Sequence, residues 1–225
     1  LFYLTIMKVL IANIPTQIPQ KDGTEKYFIK AGSRWPFSTV KKRQDHSAYL
    51  PFPFYLAYTS SLLKKEGYKV FIIDSIGANY SEKQYYKKFS SVNPDVILIE
   101  SQTPTITYDL KMLEEMKKMK PDLKVILAGP HPTVFAKEIL KENDFVDIIL
   151  LREYELPCLE VLNAGFEPKK LEKIKGVAYR GKNKIVVNEA ELLDVSKLPF
   201  PDRDSFPLSD KPDLSVYWDG FCQLK

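Results

Sequence analysis

Asp95-Val96-Ile97-Leu98-Ile99-Glu100, followed at once by Ser101-Gln102-Thr103-Pro104-Thr105, is a short continuous apolar run that ends in hydroxyls, an amide and a proline. It lacks the apolar–polar alternation of a half-buried strand and is rich in Val and Ile. That pattern predicts a strand of a parallel sheet, buried on both faces. Residues 6–13, 69–74, 124–128 and 147–151 read the same way. Between the runs lie segments with helical spacing. In 54–65, Leu56, Ala57, Ser60, Leu63 and Lys64 share a face, and Gly67 stands where a C′ glycine belongs. In 81–91, Ser81 is placed as an N-cap ahead of the stripe Tyr85, Phe89, Val92. In 107–120, Leu110, Leu113, Met116 and Met119 form a stripe that Pro121 ends. Shorter helices are predicted near 133–141 and 155–162.

Strands alternating with helices mean βαβ units with right-handed crossovers. The expected fold is α/β, a Rossmann-like or flavodoxin-like doubly wound sheet of five parallel strands in the order 2-1-3-4-5, covering residues 7–165. The pattern then changes. Residues 174–180 and 184–188, joined by Gly181-Lys182-Asn183, read as a β-hairpin. From Leu198-Pro199-Phe200-Pro201-Asp202-Arg203 onward the chain is proline-punctuated and extended. Residues 166–205 are therefore expected to be hairpin and linker, and 206–225 the start of a next domain.

The 225 residues are 44% hydrophobic and 28% charged, enough for a real core. A net charge of +4 is too mild to argue for nucleic acid. Cys158 and Cys222 make neither a disulfide framework nor a four-cysteine metal site, and Cys158 is expected to be a buried small hydrophobe. No apolar run reaches the roughly 18 residues that span a bilayer. A cytoplasmic location is the default. Residues 1–6 carry no basic n-region or cleavage site, so a signal peptide is not expected.

Open α/β sheets bind ligands outside the carboxyl ends of their strands. Pro15 follows the first run there; Ser101, Gln102 and Thr103 follow the third, Gly129-Pro130-His131-Pro132-Thr133 the fourth, and Arg152-Glu153-Tyr154-Glu155 the fifth. Glycine permits close approach of backbone to a ligand, and hydroxyls can bond its polar groups. Each cluster also has a local structural role open to it. Thr107 could N-cap a helix, Pro132 or Thr133 could start one, and Glu153 and Glu155 could be first-turn acids on a helix dipole. What distinguishes them is that all fall on one edge of one sheet. The long span 15–53 leaves the same edge without a clear period and carries Arg34, Trp35, Lys41, Lys42, Arg43 and His46. Loops of that length are usually functional or solvated. Dinucleotide and P-loop phosphate cradles are missing, as is the nucleophile elbow of α/β-hydrolases. Asn13-Ile14-Pro15 does not supply the acidic cluster of a receiver domain, and two distant histidines do not suggest a metal site.

Taken in order, several segments resemble the amino-terminal cobalamin-binding domain of B12-dependent radical SAM enzymes. They are Pro51-Phe52-Pro53-Phe54-Tyr55-Leu56-Ala57-Tyr58, Leu62-Leu63-Lys64-Lys65-Glu66-Gly67-Tyr68-Lys69-Val70, Pro94-Asp95-Val96-Ile97, Gly129-Pro130-His131-Pro132-Thr133, Arg152-Glu153-Tyr154-Glu155, Ile174-Lys175-Gly176-Val177-Ala178-Tyr179-Arg180 and Leu198-Pro199-Phe200-Pro201-Asp202-Arg203. The resemblance implies a corrinoid clamped at the carboxyl edge. Its nucleotide tail would enter a crevice between the first and third strands lined by Ser101, Gln102 and Thr103. Gly129, Pro130 and His131 would lie beside it, and Glu153 and Tyr154 on the far side. No catalytic and no metal-ligating residue is assigned. The axial-histidine motif Asp-x-His-x-x-Gly is absent, which implies base-off cobalamin without a protein histidine. Where the family usually has Gly-Glu-Gly-Glu, this chain has Arg152-Glu153-Tyr154-Glu155, with side chains in place of both glycines.

A radical SAM barrel also needs Cys-x-x-x-Cys-x-x-Cys for a [4Fe–4S] cluster. Cys222 stands where the first such cysteine is expected, although it also reads as a lone surface thiol. The expectation is therefore the amino-terminal part of a methyltransferase-type enzyme, or a stand-alone relative. Its partner would be a barrel in cis or in trans, with S-adenosylmethionine and the cluster belonging to that barrel. The alternatives are a degenerate scaffold or interaction domain without cofactor and, last, half of a glycosyltransferase.

Overall fold

The computed structural model describes residues 7–15, 17–19, 25–28, 39–40, 50 and 52–217. Its first elements are β1 (Lys8–Asn13), β2 (Gln17–Pro19), β3 (Glu25–Phe28), β4 (Thr39–Val40), α1 (Phe54–Lys65), β5 (Lys69–Asp74), α2 (Glu82–Val92), β6 (Val96–Glu100) and α3 (Ile106–Met119). There follow β7 (Lys124–Ala128), α4 (Pro130–Val134), α5 (Ala136–Glu142), β8 (Ile148–Leu150), α6 (Glu155–Asn163), α7 (Pro168–Leu171), β9 (Val177–Arg180), β10 (Ile185–Val187), β11 (Pro207–Leu208) and β12 (Lys211–Pro212).

The five apolar runs form the parallel block β5-β1-β6-β7-β8, which is 2-1-3-4-5 counted along the chain. They are apolar throughout because helices cover both faces. Helices α1 and α6 pack on one side, and α2, α3 and α5 on the other. Alternate residues of each strand go to opposite cores. Val9, Ile11, Val96 and Leu98 lie on the α1/α6 side, and Leu10, Ala12, Ile97 and Ile99 on the other. A slip of one residue would exchange the two sets, so the register is strongly specified.

Among the described residues the sheet has nine strands, four beyond the parallel five. The hairpin β9–β10 adds antiparallel to β8, with Ile148 opposite Tyr179 and Leu150 opposite Val177. At the other edge β11 lies antiparallel on β5 and carries β12. An open parallel sheet leaves two rows of unpaired backbone groups, and these later segments cover them. Strands of two to four residues are too short to show a period in sequence. The span 15–53, read as aperiodic, contains the small antiparallel sheet β2-β3-β4. Arg34, Trp35, Lys41, Lys42, Arg43, His46, residues 1–6 and Cys222 lie outside the described residues.

Helix starts follow local chemistry. The Ser81 hydroxyl accepts from the Gln84 N–H, and the Gln84 side chain accepts from the Ser81 N–H, a reciprocal capping box on α2. α3 begins at Ile106 with Thr105 at the N-cap position, so Thr107 is an exposed helical residue and not the cap. α4 begins at Pro130, two residues before the expected start, because proline suits the first helical position. Gly67 ends α1 at φ +87, its N–H bonded to the Lys64 carbonyl. No helix among the described residues is long and apolar enough to cross a membrane.

Candidate functional site at the carboxyl edge

From β1 the chain passes through α1 to β5 on one side, then through α2 to β6 on the other. The connections that leave β1 and β6 therefore go to opposite faces of the sheet, which makes this the topological switch point. Asn13-Ile14-Pro15 leave from one lip, with Pro15 buried, and Glu100-Ser101-Gln102-Thr103 from the other.

Alternation decides where each of these side chains goes. Ser101 is on the α3 side, and its hydroxyl donates to Asp109 Oδ2 at 2.6 Å, an oxygen that also accepts from Thr105 Oγ1 at 2.9 Å. The Gln102 carbonyl accepts from the Thr105 and Ile106 N–H groups at the start of α3. Thr103 is exposed, with Oγ1 3.1 Å from His131 Nδ1. The His131 ring lies 4.5 Å from that of Phe135, and partial burial lowers its pKa, favouring the neutral imidazole. Pro130 is exposed beside it. Phe135 and Val134, 42% and 71% exposed, continue this apolar surface.

Gly129 has φ +110, and a Cβ there would fall 2.4 Å from the Ser101 carbonyl oxygen. The glycine thus serves the close approach of β6 and β7, leaving no open cradle of its own. Arg152 holds a left-handed φ of +56, the conformation a glycine would adopt, and its N–H donates to Thr133 Oγ1 at 3.0 Å. Glu153 Oε2 accepts the Leu193 N–H at 2.7 Å and so fastens the later segment to the edge.

Tyr154 is buried, and its hydroxyl donates to Glu100 Oε2 at 2.8 Å. Its pKa is raised well above the usual value, first by burial and then by Glu100. With Asn13, Asp74 and Glu155 this pair forms a buried polar group on the α1/α6 side of the edge. Asn13 Nδ2 donates to Asp74 Oδ1 at 3.3 Å, while Asn13 Oδ1 and Glu155 Oε2 have no partner among the described residues. Burial pushes the Asp74 carboxyl up and the Glu155 carboxyl up to about 7. Neither Asn13 nor Asp74 carries a motif, and Glu100 enters the sequence only as the end of its run. Counting by twos from Val96 and Leu98 would have put Glu100 on the crevice face and Ser101 on the other. Cys158 is fully buried and its thiol pushed up to about 12, as fits an inert core residue. Among the described residues no group of His, Cys, Asp or Glu could hold a metal ion.

Fold and switch point define a Rossmann-like ligand-binding domain, and comparison with known proteins gives its family. Residues 45–162 match the model of the B12 binding domain; the chain belongs to that family. It is 29% identical over 144 residues to the anaerobic magnesium-protoporphyrin IX monomethyl ester cyclase of Rubrivivax gelatinosus, which covers 62% of this chain and 26% of the cyclase. It is 26% identical over 159 residues to a protein of Pyrococcus horikoshii described as uncharacterized methyltransferase PH0819, covering 69% and 34% respectively. The chain thus spans about a quarter to a third of the length of these curated relatives. Among solved structures, the cobalamin-dependent S-adenosylmethionine radical enzyme OxsB with aqua-cobalamin and S-adenosylmethionine bound superposes with a TM-score of 0.63 at 15% identity, over 88% of this chain and 24% of that one. The radical S-adenosylmethionine methyltransferase TsrM from Kitasatospora setae gives 0.55 at 13% identity, over 87% and 31%. These two likenesses show a common fold.

Proposed function

We propose that this chain is the corrinoid-holding module of a B12-dependent radical SAM enzyme, working with a barrel in cis or in trans. The observation that carries the reading is the exposed surface on the switch-point edge, where the Thr103–His131 pair adjoins Pro130, Val134 and Phe135. Its chemistry suits one face of a corrin ring: apolar contact for the macrocycle, with a hydroxyl and a neutral imidazole for the amides at its rim. In this reading residues 7–165 hold the corrinoid, base-off and without a protein histidine on cobalt, and 166–205 lead toward the barrel. Bound there, the corrinoid supplies methyl-carrying chemistry, while the protein supplies position and environment. The methyltransferase relative supports methyl transfer as the reaction of the complete enzyme, and a cytoplasmic setting belongs to the same proposal. Ser101, Glu153 and Tyr154 act behind the surface, since their polar atoms already bond Asp109, Leu193 and Glu100.

That internal bonding also favours a second reading, a scaffold that holds no cofactor. A visible spectrum taken after incubation with hydroxocobalamin and desalting separates the two. Retained corrin absorbance with a base-off profile is expected. Colourless protein, both for this chain and for one extended beyond Lys225, would leave only the scaffold.

A further inference from the structure

The ring half and the nucleotide half of a cobalamin meet different conditions at this edge. The surface above is open, and the crevice beneath it is closed. Tyr154 starts from the β8–α6 connection and reaches past β7 to Glu100 on β6, with its ring 6.3 Å from that of Tyr55 on α1. β7 ends in Ala128, a small residue of the same core. The Tyr154 ring therefore occupies the wedge between the sheet and helices α1 and α6, next to the switch point, and only 2% of its surface is exposed. Asn13, Asp74, Glu100 and Glu155 are buried around the same end of the sheet. A nucleotide carrying a fused bicyclic base has no room there while the tyrosine is in place. Its hydrogen bond to a buried carboxylate, charge-assisted when that carboxylate is ionised, resists displacement.

We propose that Tyr154, positioned by Glu100, determines which corrinoid this chain accepts: the ring rests on the exposed edge, and the nucleotide is kept out of the sheet–helix crevice. The inference rests on the corrinoid-holding function proposed above. It implies that a corrinoid without a nucleotide loses nothing at this site.

The test is a titration of the full chain with hydroxocobalamin and with diaquacobinamide, which lacks the nucleotide, followed by the change in corrin absorbance. The parent is expected to bind cobinamide at least as tightly as cobalamin, because cobalamin held base-off gives up its own base without gaining a crevice for the nucleotide. In Tyr154→Ala, cobalamin should tighten by tenfold or more while cobinamide stays within threefold. Tyr154→Phe keeps the ring but loses the bond to Glu100, and its cobalamin affinity should fall between those of the parent and Tyr154→Ala. If the parent prefers cobalamin by tenfold or more, or if folded Tyr154→Ala leaves the ratio unchanged, Tyr154 does not set the choice while the corrinoid function stands. If neither corrinoid binds the parent or the variants, the function itself falls and this inference with it. Should Tyr154→Ala fail to fold, the parent's own ratio decides, with Tyr154→Leu as the smaller-side-chain variant.

Discussion

Glu155 occupies the first position of α6, where a carboxylate is ordinarily stabilised by the helix dipole. Only 2% of it is exposed, and burial, with Glu153 and Glu100 adding to the effect, pushes its carboxyl up to about 7. Between the ordinary value of 4.5 and about 7, the folded protein keeps a proton that the unfolded chain has lost. Stability is therefore full below the lower value, falls as pH rises through this window, and levels off above it. At roughly 1.4 kcal/mol per pH unit, the ionised carboxylate costs on the order of 3 kcal/mol at pH 8. Glu155→Gln is expected to be more stable than the parent at pH 8 and no more stable at pH 4, as read by urea unfolding at the two pH values. Equal differences at both would show that Glu155 titrates alike folded and unfolded. The residue type is plain in the sequence, but its burial comes from the packing of α6 on α1, and no local pattern announces it.

Local elements were legible to different degrees. The capping box at Ser81 and Gln84 is written within four residues, so the start of α2 could be read directly. The starts of α3 and α4 could not, because the β6 and β7 turns that precede them are set by neighbouring strands. Gly129 shows why: its φ of +110 with ψ 179 is essentially confined to glycine, and the Ser101 backbone fills the place of a side chain. Gly129→Ala should lower stability by about 3 kcal/mol, combining backbone strain with a contact that has little room to relax. The shift of the urea midpoint measures it. A loss below about 1 kcal/mol would mean that β6 and β7 can separate at this edge.

Across the whole molecule, the later part of the chain binds the domain together. The Asp202 N–H donates to the Ala57 carbonyl at 3.0 Å, and its carboxylate accepts from Ser60 Oγ at 2.6 Å and pairs with Lys64 at 2.7 Å. Arg203 lies over Phe52 and Phe54, and Phe206 and Tyr217 meet Phe52 edge-on. The Tyr217 hydroxyl donates to the buried Asp74 Oδ2 at 2.5 Å, beside the donors from Asn13, Ile76 and Gly77 to Oδ1. Tyr217→Phe keeps the ring and removes a donor to a buried carboxyl, so it should cost about 1–3 kcal/mol in thermal or urea unfolding. No measurable change would mean that ring packing alone holds the segment.

Composition and periodicity by themselves determined the α/β class, the five buried strands and the sheet edge on which ligand-binding chemistry gathers, while the 2-1-3-4-5 order was expected from likeness to flavodoxin-like sheets. The class, the strands and the edge follow from short-range pattern and from the handedness of βαβ connections, which one chain carries in full. Only the tertiary structure decided that residues 177–187 and 207–212 extend the sheet, and that Tyr154 reaches Glu100 to close the crevice. Those outcomes depend on contacts between residues far apart in sequence, such as Ile148 with Tyr179, Leu208 with Ile73 and Tyr154 with Glu100. Packing selects such pairs after the strands and helices have formed, and local spacing has no term for them.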